Sequence, residues 1–263
     1  MLRKIAVSIF VALATATPAF SAIPSTLSDA QMTAEFKGYA GAFIIKDLSD
    51  GTVYRYNDSL LKEKYCPCST FKIVNSLIAL DSGVLKLNDS KIKWDGVKRE
   101  IASHNQDQDL QSAVTNSAVW YFQRVAQMIG KDRMQTYLDK LKYGNQDMSS
   151  GLTTFWLGPN ESLRVTPDDQ ITFLTGLFSD QLPVSKQAMS DVRQLIKLKT
   201  EGGNTLFGKT GTSSGAVFGW FVGAVKHDGK TYVFATNVRA KENAYGRNAR
   251  KITESVLTKM GLL

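Results

Sequence analysis

The apolar positions of this chain fall into two periodicities, helical through its middle and alternating at both ends. The sharpest helical stretch is residues 65–81, YCPCSTFKIVNSLIALD, where Phe71, Val74, Leu77 and Ile78 share one face and Ile73 and Leu80 broaden it. Gly83 follows as a plausible stop. Residues 112–129 carry a stripe of Ala118, Val119, Phe122, Val125, Ala126 and Ile129, and Met134, Tyr137, Leu138 and Leu141 mark a further helix ending near Lys142. Thr166-Pro167-Asp168-Asp169 reads as a helix start, with a cap, Pro at N1 and an acid at N3. That helix carries Ile171, Leu174 and Leu177, and Ser185 caps another running through Leu198. Residues 39–45 and 52–56 read as a hairpin around the turn at 47–51. After Gly202-Gly203 come strands over 205–209, 216–226 and 231–238, then a closing helix over about 245–260. Residues 22–35 show no element, and residues 84–112 read as loop with short helical pieces anchored by Trp94. Strands at both ends around a helical middle predict an α+β fold: an antiparallel sheet flanked by helices, with an inserted helical subdomain. A single domain is expected over 22–263, its α/β part about 22–83 and 200–263 and its mostly helical part about 84–199.

The chain has 263 residues, 43 % hydrophobic and 21 % charged, an ordinary balance for a globular protein with a sizeable core. The net charge of +8 is scattered. No run of five basic residues or interleaved aromatic ladder occurs, so nucleic acid is not an expected partner. At the N-terminus, Arg3 and Lys4 precede an apolar stretch over 5–14, and Ala19-Phe20-Ser21 fits a small-x-small cleavage site. Residues 1–21 are therefore expected to be a signal peptide. The apolar stretch is too short to span a bilayer, and no later segment is long enough. The expected product is exported and has no membrane anchor in its mature form. It would be periplasmic in a cell with two membranes and secreted otherwise.

The cysteines, Cys66 and Cys68, flank Pro67, where a bridge would be strained, so they are expected to be small buried thiols. A Cys-x-Cys redox or metal site is the sharper alternative, but no histidine is close in sequence. The two histidines of the chain are His104, in a polar loop, and His227, in a hairpin turn HDGK. Neither is a promising base for a Ser-His-Asp triad, and nothing has the ligand spacing of a zinc site. The lysine gains weight instead. Ser69 reads as the first residue of the buried helix, with Lys72 about one turn on along the same face. A lysine can activate a serine only if it is not left as an ammonium, and burial disfavours the charged form. The helix N-terminus adds N–H groups that suit an oxyanion. Alone, this spacing is also what an ordinary N-cap serine would show.

Four further pieces stand in chain order: Ser117-Ala118-Val119, Tyr143-Gly144-Asn145, Phe155-Trp156-Leu157 and Lys209-Thr210-Gly211. Taken singly, Trp156 could be a core aromatic, Y-G-N a turn and K-T-G a strand end. The S-x-x-K and K-T-G elements are shared by serine β-lactamases and penicillin-binding proteins. With S-x-V, Y-G-N, the tryptophan and the S-T-F-K form of the first motif, the chain closely resembles the class D serine β-lactamases (oxacillinases) over about residues 30–260.

The resemblance implies a single catalytic domain of the β-lactamase and penicillin-binding transpeptidase fold that hydrolyses penicillin-type β-lactams and confers resistance. Ser69 would form the acyl-enzyme, and its N–H with that of Thr212 would make the oxyanion hole. Ser117 would relay a proton to the leaving nitrogen. Lys209, Thr210 and Arg250 would bind the substrate carboxylate, with Gly211 and Val119 also on the substrate side. Arg247, three residues before Arg250, is the competing assignment. The resemblance further implies that Lys72 is carboxylated by CO2 to N6-carboxylysine and serves as general base, its anion held by the Trp156 N–H. That needs bicarbonate but no metal and no other cofactor. Tyr143 and Asn145 would shape the site. The loop over 212–218 would set substrate preference. Cys66 and Cys68 depart from the family's core motif, and monomer and homodimer are both left open. Two other readings compete: a transpeptidase or carboxypeptidase acting on cell-wall peptides, against which Val119 and Trp156 argue, and a non-enzymatic sensor that is acylated once.

Overall fold

The alternating segments at the two ends of the chain meet in one sheet. In the computed structural model, which describes residues 23–158 and 161–263, the elements in chain order are α1 (Asp29–Glu35), β1 (Ala40–Asp47), β2 (Val53–Tyr56), α2 (Asp58–Leu61), a 3₁₀ turn (Cys68–Thr70), α3 (Phe71–Asp81), a second 3₁₀ turn (Ala102–His104), α4 (Leu110–Asn116), α5 (Val119–Ile129), α6 (Lys131–Leu141), α7 (Pro167–Phe178), α8 (Lys186–Leu195), β3 (Lys197–Glu201), β4 (Asn204–Thr212), a third 3₁₀ turn (Ser214–Ala216), β5 (Phe218–His227), β6 (Lys230–Arg239) and α9 (Gly246–Lys259). The described strands form a six-stranded sheet in the order β2-β1-β6-β5-β4-β3, every neighbour antiparallel. β1 lies beside β6 from Ala40 opposite Arg239 to Asp47 opposite Tyr232, so the first strand closes against the last. The expected signal peptide and its cleavage site lie outside the described residues.

Strand alternation divides the interior in two. Phe43, Ile45, Phe221 and Phe234 point to one face, where they meet Met32 and Phe36 near α1 and Ile252, Val256 and Leu257 of α9. Ala42, Ile44, Trp220, Val222 and Ala235 point to the other, into the larger core shared with α3, α5 and α7. Covered on both faces, β5 and β6 read as near-continuous apolar runs. The α+β architecture and the helical insertion are as expected. The Thr166 start is a full capping box with Pro167 in the first turn, and the Ser185 hydroxyl accepts from Ala188 N.

Several local expectations are corrected. Residues 112–129 are not one helix: the chain breaks at Ser117, whose φ of 57° and ψ of 37° are left-handed, and α5 begins afresh at Val119. The Ser185 helix stops at Leu195, and residues beyond it turn into β3, an exposed edge strand whose charged residues suit an unpaired edge. Residues 22–35 contain α1, started by a capping box between Ser28 and Gln31. Ala216 belongs to a 3₁₀ turn, so β5 begins at Phe218. Ser69 lies in the 3₁₀ turn that leads into α3, one step before the helix proper. His104, expected in a polar loop, ends the second 3₁₀ turn and is buried.

Candidate active site

The turn carrying Ser69 is held from three sides. Tyr65 and Val165 exchange backbone hydrogen bonds of 2.8 Å, which fixes the approach to it. Behind it, the Pro67 carbonyl accepts from Thr70 N at 3.1 Å and Thr70 Oγ1 at 2.7 Å. Thr70 Oγ1 in turn accepts from Gln170 Nε2 at 3.0 Å, and Gln170 Oε1 accepts from the Tyr143 hydroxyl at 3.3 Å. In front, β4 passes so close at Gly211 that a β-carbon there would lie 3.0 Å from Pro67 O and 3.3 Å from Cys68 Cβ. Gly246, the first residue of α9, presses against the same strand: a β-carbon on it would lie 2.5 Å from Gly211 O. These close approaches bring the K-T-G strand alongside the nucleophile turn.

Lys72 follows one turn later and has no exposed surface. Its Nζ lies 2.8 Å from Ser69 Oγ and 5.6 Å from the centre of the Phe122 ring. Burial, with Lys209 adding repulsion, holds the amine well below the usual lysine range. Lys209, on β4, is 6 % exposed, and burial lowers it to about 8. Its Nζ donates to Ser117 Oγ and to Thr210 O, both at 3.1 Å. The left-handed Ser117 therefore presents its hydroxyl to the second lysine. Ser69–Lys72 and Ser117–Lys209 form two serine–lysine pairs, close enough for the charge of Lys209 to act on Lys72. Thr212, exposed at the end of β4, accepts from Gly246 N through Oγ1 at 2.9 Å.

A cleft of about 240 Å³ at Lys209 is lined also by Thr115, Leu198, Thr210 and Arg250 among others, while Ser69, Lys72 and Ser117 are not in its lining. Arg250 is braced by Glu254, which accepts from its Nε at 2.7 Å. Arg247 instead stacks 3.8 Å over the ring of Tyr245. Of the two arginines it is Arg250 that lines the cleft with Lys209 and Thr210. Asn145 ties down the segment after Trp156, donating to Ser162 O and accepting from Arg164 N, each at 2.8 Å. Cys66 and Cys68 are free and buried, as expected; the Cys66 thiol donates to Trp156 O at 3.0 Å.

Trp156 is wholly buried, stacks on Phe71 at 5.2 Å between ring centres, and its indole N–H has no hydrogen-bond partner. A buried donor left unpaired costs free energy, so it is a place where an acceptor belongs. A buried amine disfavoured as a cation fits carbamate formation on Lys72, and the unsatisfied indole, stacked on the neighbouring Phe71, is a donor such an anion would need. Among the described residues, no cluster of metal-ligating side chains occurs.

Sequence reasoning missed Gln170, Thr70 and His104. Gln170 reaches Thr70 across 100 residues of sequence, a pairing without a local signature. His104 contacts the carbonyl just before Ser117.

Comparison with known proteins agrees with this geometry. The family model of the penicillin binding protein transpeptidase domain matches residues 11–258. A probable β-lactamase, YbxI, of Bacillus subtilis (strain 168) is 42 % identical over 231 residues, covering 87 % of this chain and 84 % of that one. The crystal structure of a class D β-lactamase from Bacillus subtilis superposes with a TM-score of 0.85 at 40 % identity, covering 90 % of this chain and 99 % of the other. The regulatory protein BlaR1 of Bacillus licheniformis is 34 % identical over 85 % of this chain, which spans only 37 % of BlaR1. YbxI and the Bacillus subtilis class D β-lactamase match along most of their own length, and the chain belongs to the class D serine β-lactamase family.

Proposed function

We propose that this chain is an exported β-lactamase that opens the ring of penicillin-type antibiotics through an acyl-enzyme on Ser69, conferring β-lactam resistance from the periplasm or, with a single membrane, from outside the cell. The observation that carries this reading is the 2.8 Å contact between Ser69 Oγ and an amine with no exposed surface. A hydroxyl beside a base that is not a solvated ammonium can lose its proton as it attacks. Ser69 Oγ would form an ester with the lactam carbonyl carbon while the ring C–N bond breaks. Ser117, in contact with Lys209, would pass a proton to the departing nitrogen. The backbone N–H groups of Ser69 and Thr212 would face the developing oxyanion. Lys209, Thr210 and Arg250 would hold the substrate carboxylate, the arginine adding a fixed fork of donors. Water would then cleave the ester and free Ser69. Carried on Lys72 and held by Trp156 Nε1, a carbamate would supply a carboxylate-like base in both half-reactions. Val119 and Phe122 would keep that base dry, which preserves its strength.

The test is turnover of a benzylpenicillin-type substrate by the purified mature protein, with and without bicarbonate. Many turnovers, sustained by bicarbonate and abolished in Ser69→Ala, are expected. Normal turnover that stays indifferent to bicarbonate after CO2 stripping at low pH would leave the serine in place and remove the carbamate. A single burst that never turns over would make the chain a sensor.

A further inference from the structure

Ser117 has to hold its hydroxyl at Lys209 from a left-handed backbone, a conformation that costs a serine energy and that some neighbour must impose. The peptide joining Asn116 to Ser117 is gripped on both edges. Its N–H donates to Val114 O at 3.2 Å. Its carbonyl, at the free end of α4, lies 2.8 Å from His104 Nε2. A carbonyl only accepts, so this nitrogen carries the hydrogen. His104 is 6 % exposed and is itself clamped: its own carbonyl accepts from the Trp120 indole at 2.9 Å. Asn116 Nδ2 reaches Gln108 Oε1 at 3.3 Å, and Gln108 Nε2 donates to Ser103 O at 2.7 Å. The segment holding His104 is thus fastened on both sides of the serine, and the imidazole bears on the peptide plane that sets the φ of Ser117, the following peptide being held by Ala118 N–H donating to Ala113 O at 2.9 Å.

We infer that His104 is a positioning residue for Ser117: by holding the Asn116 carbonyl it aims the serine hydroxyl at Lys209 for proton transfer during acylation. This rests on the β-lactamase reading of the site. It assigns a role to a buried histidine that takes no part in the Ser69–Lys72 chemistry.

The experiment is single-turnover acylation by a chromogenic β-lactam, in the full chain and in a Ser117→Ala background. Loss of a buried hydrogen bond that leaves its acceptor unpaired should slow acylation about tenfold in His104→Leu. His104→Gln places an amide N–H where Nε2 stood and should recover to within about threefold, whereas the shorter His104→Asn should not. In the Ser117→Ala background the His104→Leu penalty should shrink below about twofold, because residues that act as a unit are not additive. An undiminished penalty in that background means a merely structural histidine and overturns the inference. So does a His104→Leu protein that acylates like wild type, or a Gln variant no better than Asn. If His104→Leu fails to fold, the Gln and Asn pair decides the matter alone. A wild-type chain that accepts no acyl group overturns the β-lactamase reading and this inference together.

Discussion

A lysine without exposed surface, next to a second buried lysine, is carried at a cost to folding. Burial lowers both amines, Lys209 to about 8 and Lys72 well below the ordinary 10.5. Between those folded values and the ordinary one, the unfolded chain binds protons that the native chain does not, so stability rises with pH there. Two outcomes follow in CO2-free buffer. Thermal unfolding should shift upward from pH 7.5 to 9.5, and Lys72→Met should show a smaller shift. Lys72→Met should also melt higher at pH 7.5, by roughly 2–10 °C, because an apolar side chain replaces a fully buried amine whose desolvation opposes folding. An unchanged or lower melting temperature would mean that the amine is not costly where it stands. Trp156→Phe keeps the packing and removes the unpaired N–H. It should leave Lys72 with markedly less 13C-labelled carbamate at a given bicarbonate concentration, read directly by 13C NMR; equal labelling in both proteins would count against the indole as its anchor. The residues legible from sequence are those whose chemistry demands a type at a fixed spacing, such as Ser69 with Lys72, or Lys209 in K-T-G. His104 and Gln170 were not legible: one bonds to a backbone carbonyl and the other to a threonine 100 residues away.

Elements were legible where a pattern was long or a cap was marked, as for α7 behind Thr166. They were missed where tertiary contact overrides propensity. The stripe over 112–129 continues through Ser117 because both α4 and α5 bury apolar residues, so the periodicity carries no trace of the break between them. The helical pattern after Ser185 runs on through Lys197 and Leu198, the first two residues of β3, because that strand gains its character from pairing with β4. The contact between β4 and the nucleophile turn supplies the prediction at this scale. In Gly211→Ala the new methyl meets Pro67 O, Thr70 Cγ2 and Cys68 Cβ at 3.0–3.3 Å, and backbone cannot give way as a flexible side chain does. The strand and turn must separate by a few tenths of an ångström. Acylation should fall by about 10²-fold or more, since small misplacements of reacting groups are costly. The melting temperature should fall by no more than roughly 4–8 °C. Activity within about threefold of wild type would show that the turn is not held by the strand.

At the scale of the molecule, the described residues of the helical middle share one core with the sheet. The apolar face of α3, α5 and α7 is completed by Ala42, Ile44, Trp220, Val222 and Ala235 from the sheet, and Arg55 of β2 grips Asp168 of α7 with bonds of 2.7 and 3.0 Å. Calorimetry should therefore show one unfolding transition, and two resolved peaks would contradict a shared core. The two ends of the described chain meet behind the sheet, where Ser25 Oγ donates to Lys259 O at 3.1 Å and Lys259 pairs with Glu35. Lys209, Thr210 and Gly211 lie at the C-terminal end of β4, while the exposed glycines Gly202 and Gly203, both at positive φ, form the hairpin between β3 and β4 at its start. A circular permutant that joins the two ends by a short linker and reopens the chain at that hairpin would keep every strand pair. Its nucleophile and its K-T-G strand would then be carried in reversed order along one continuous polypeptide, with the reaction space unaltered.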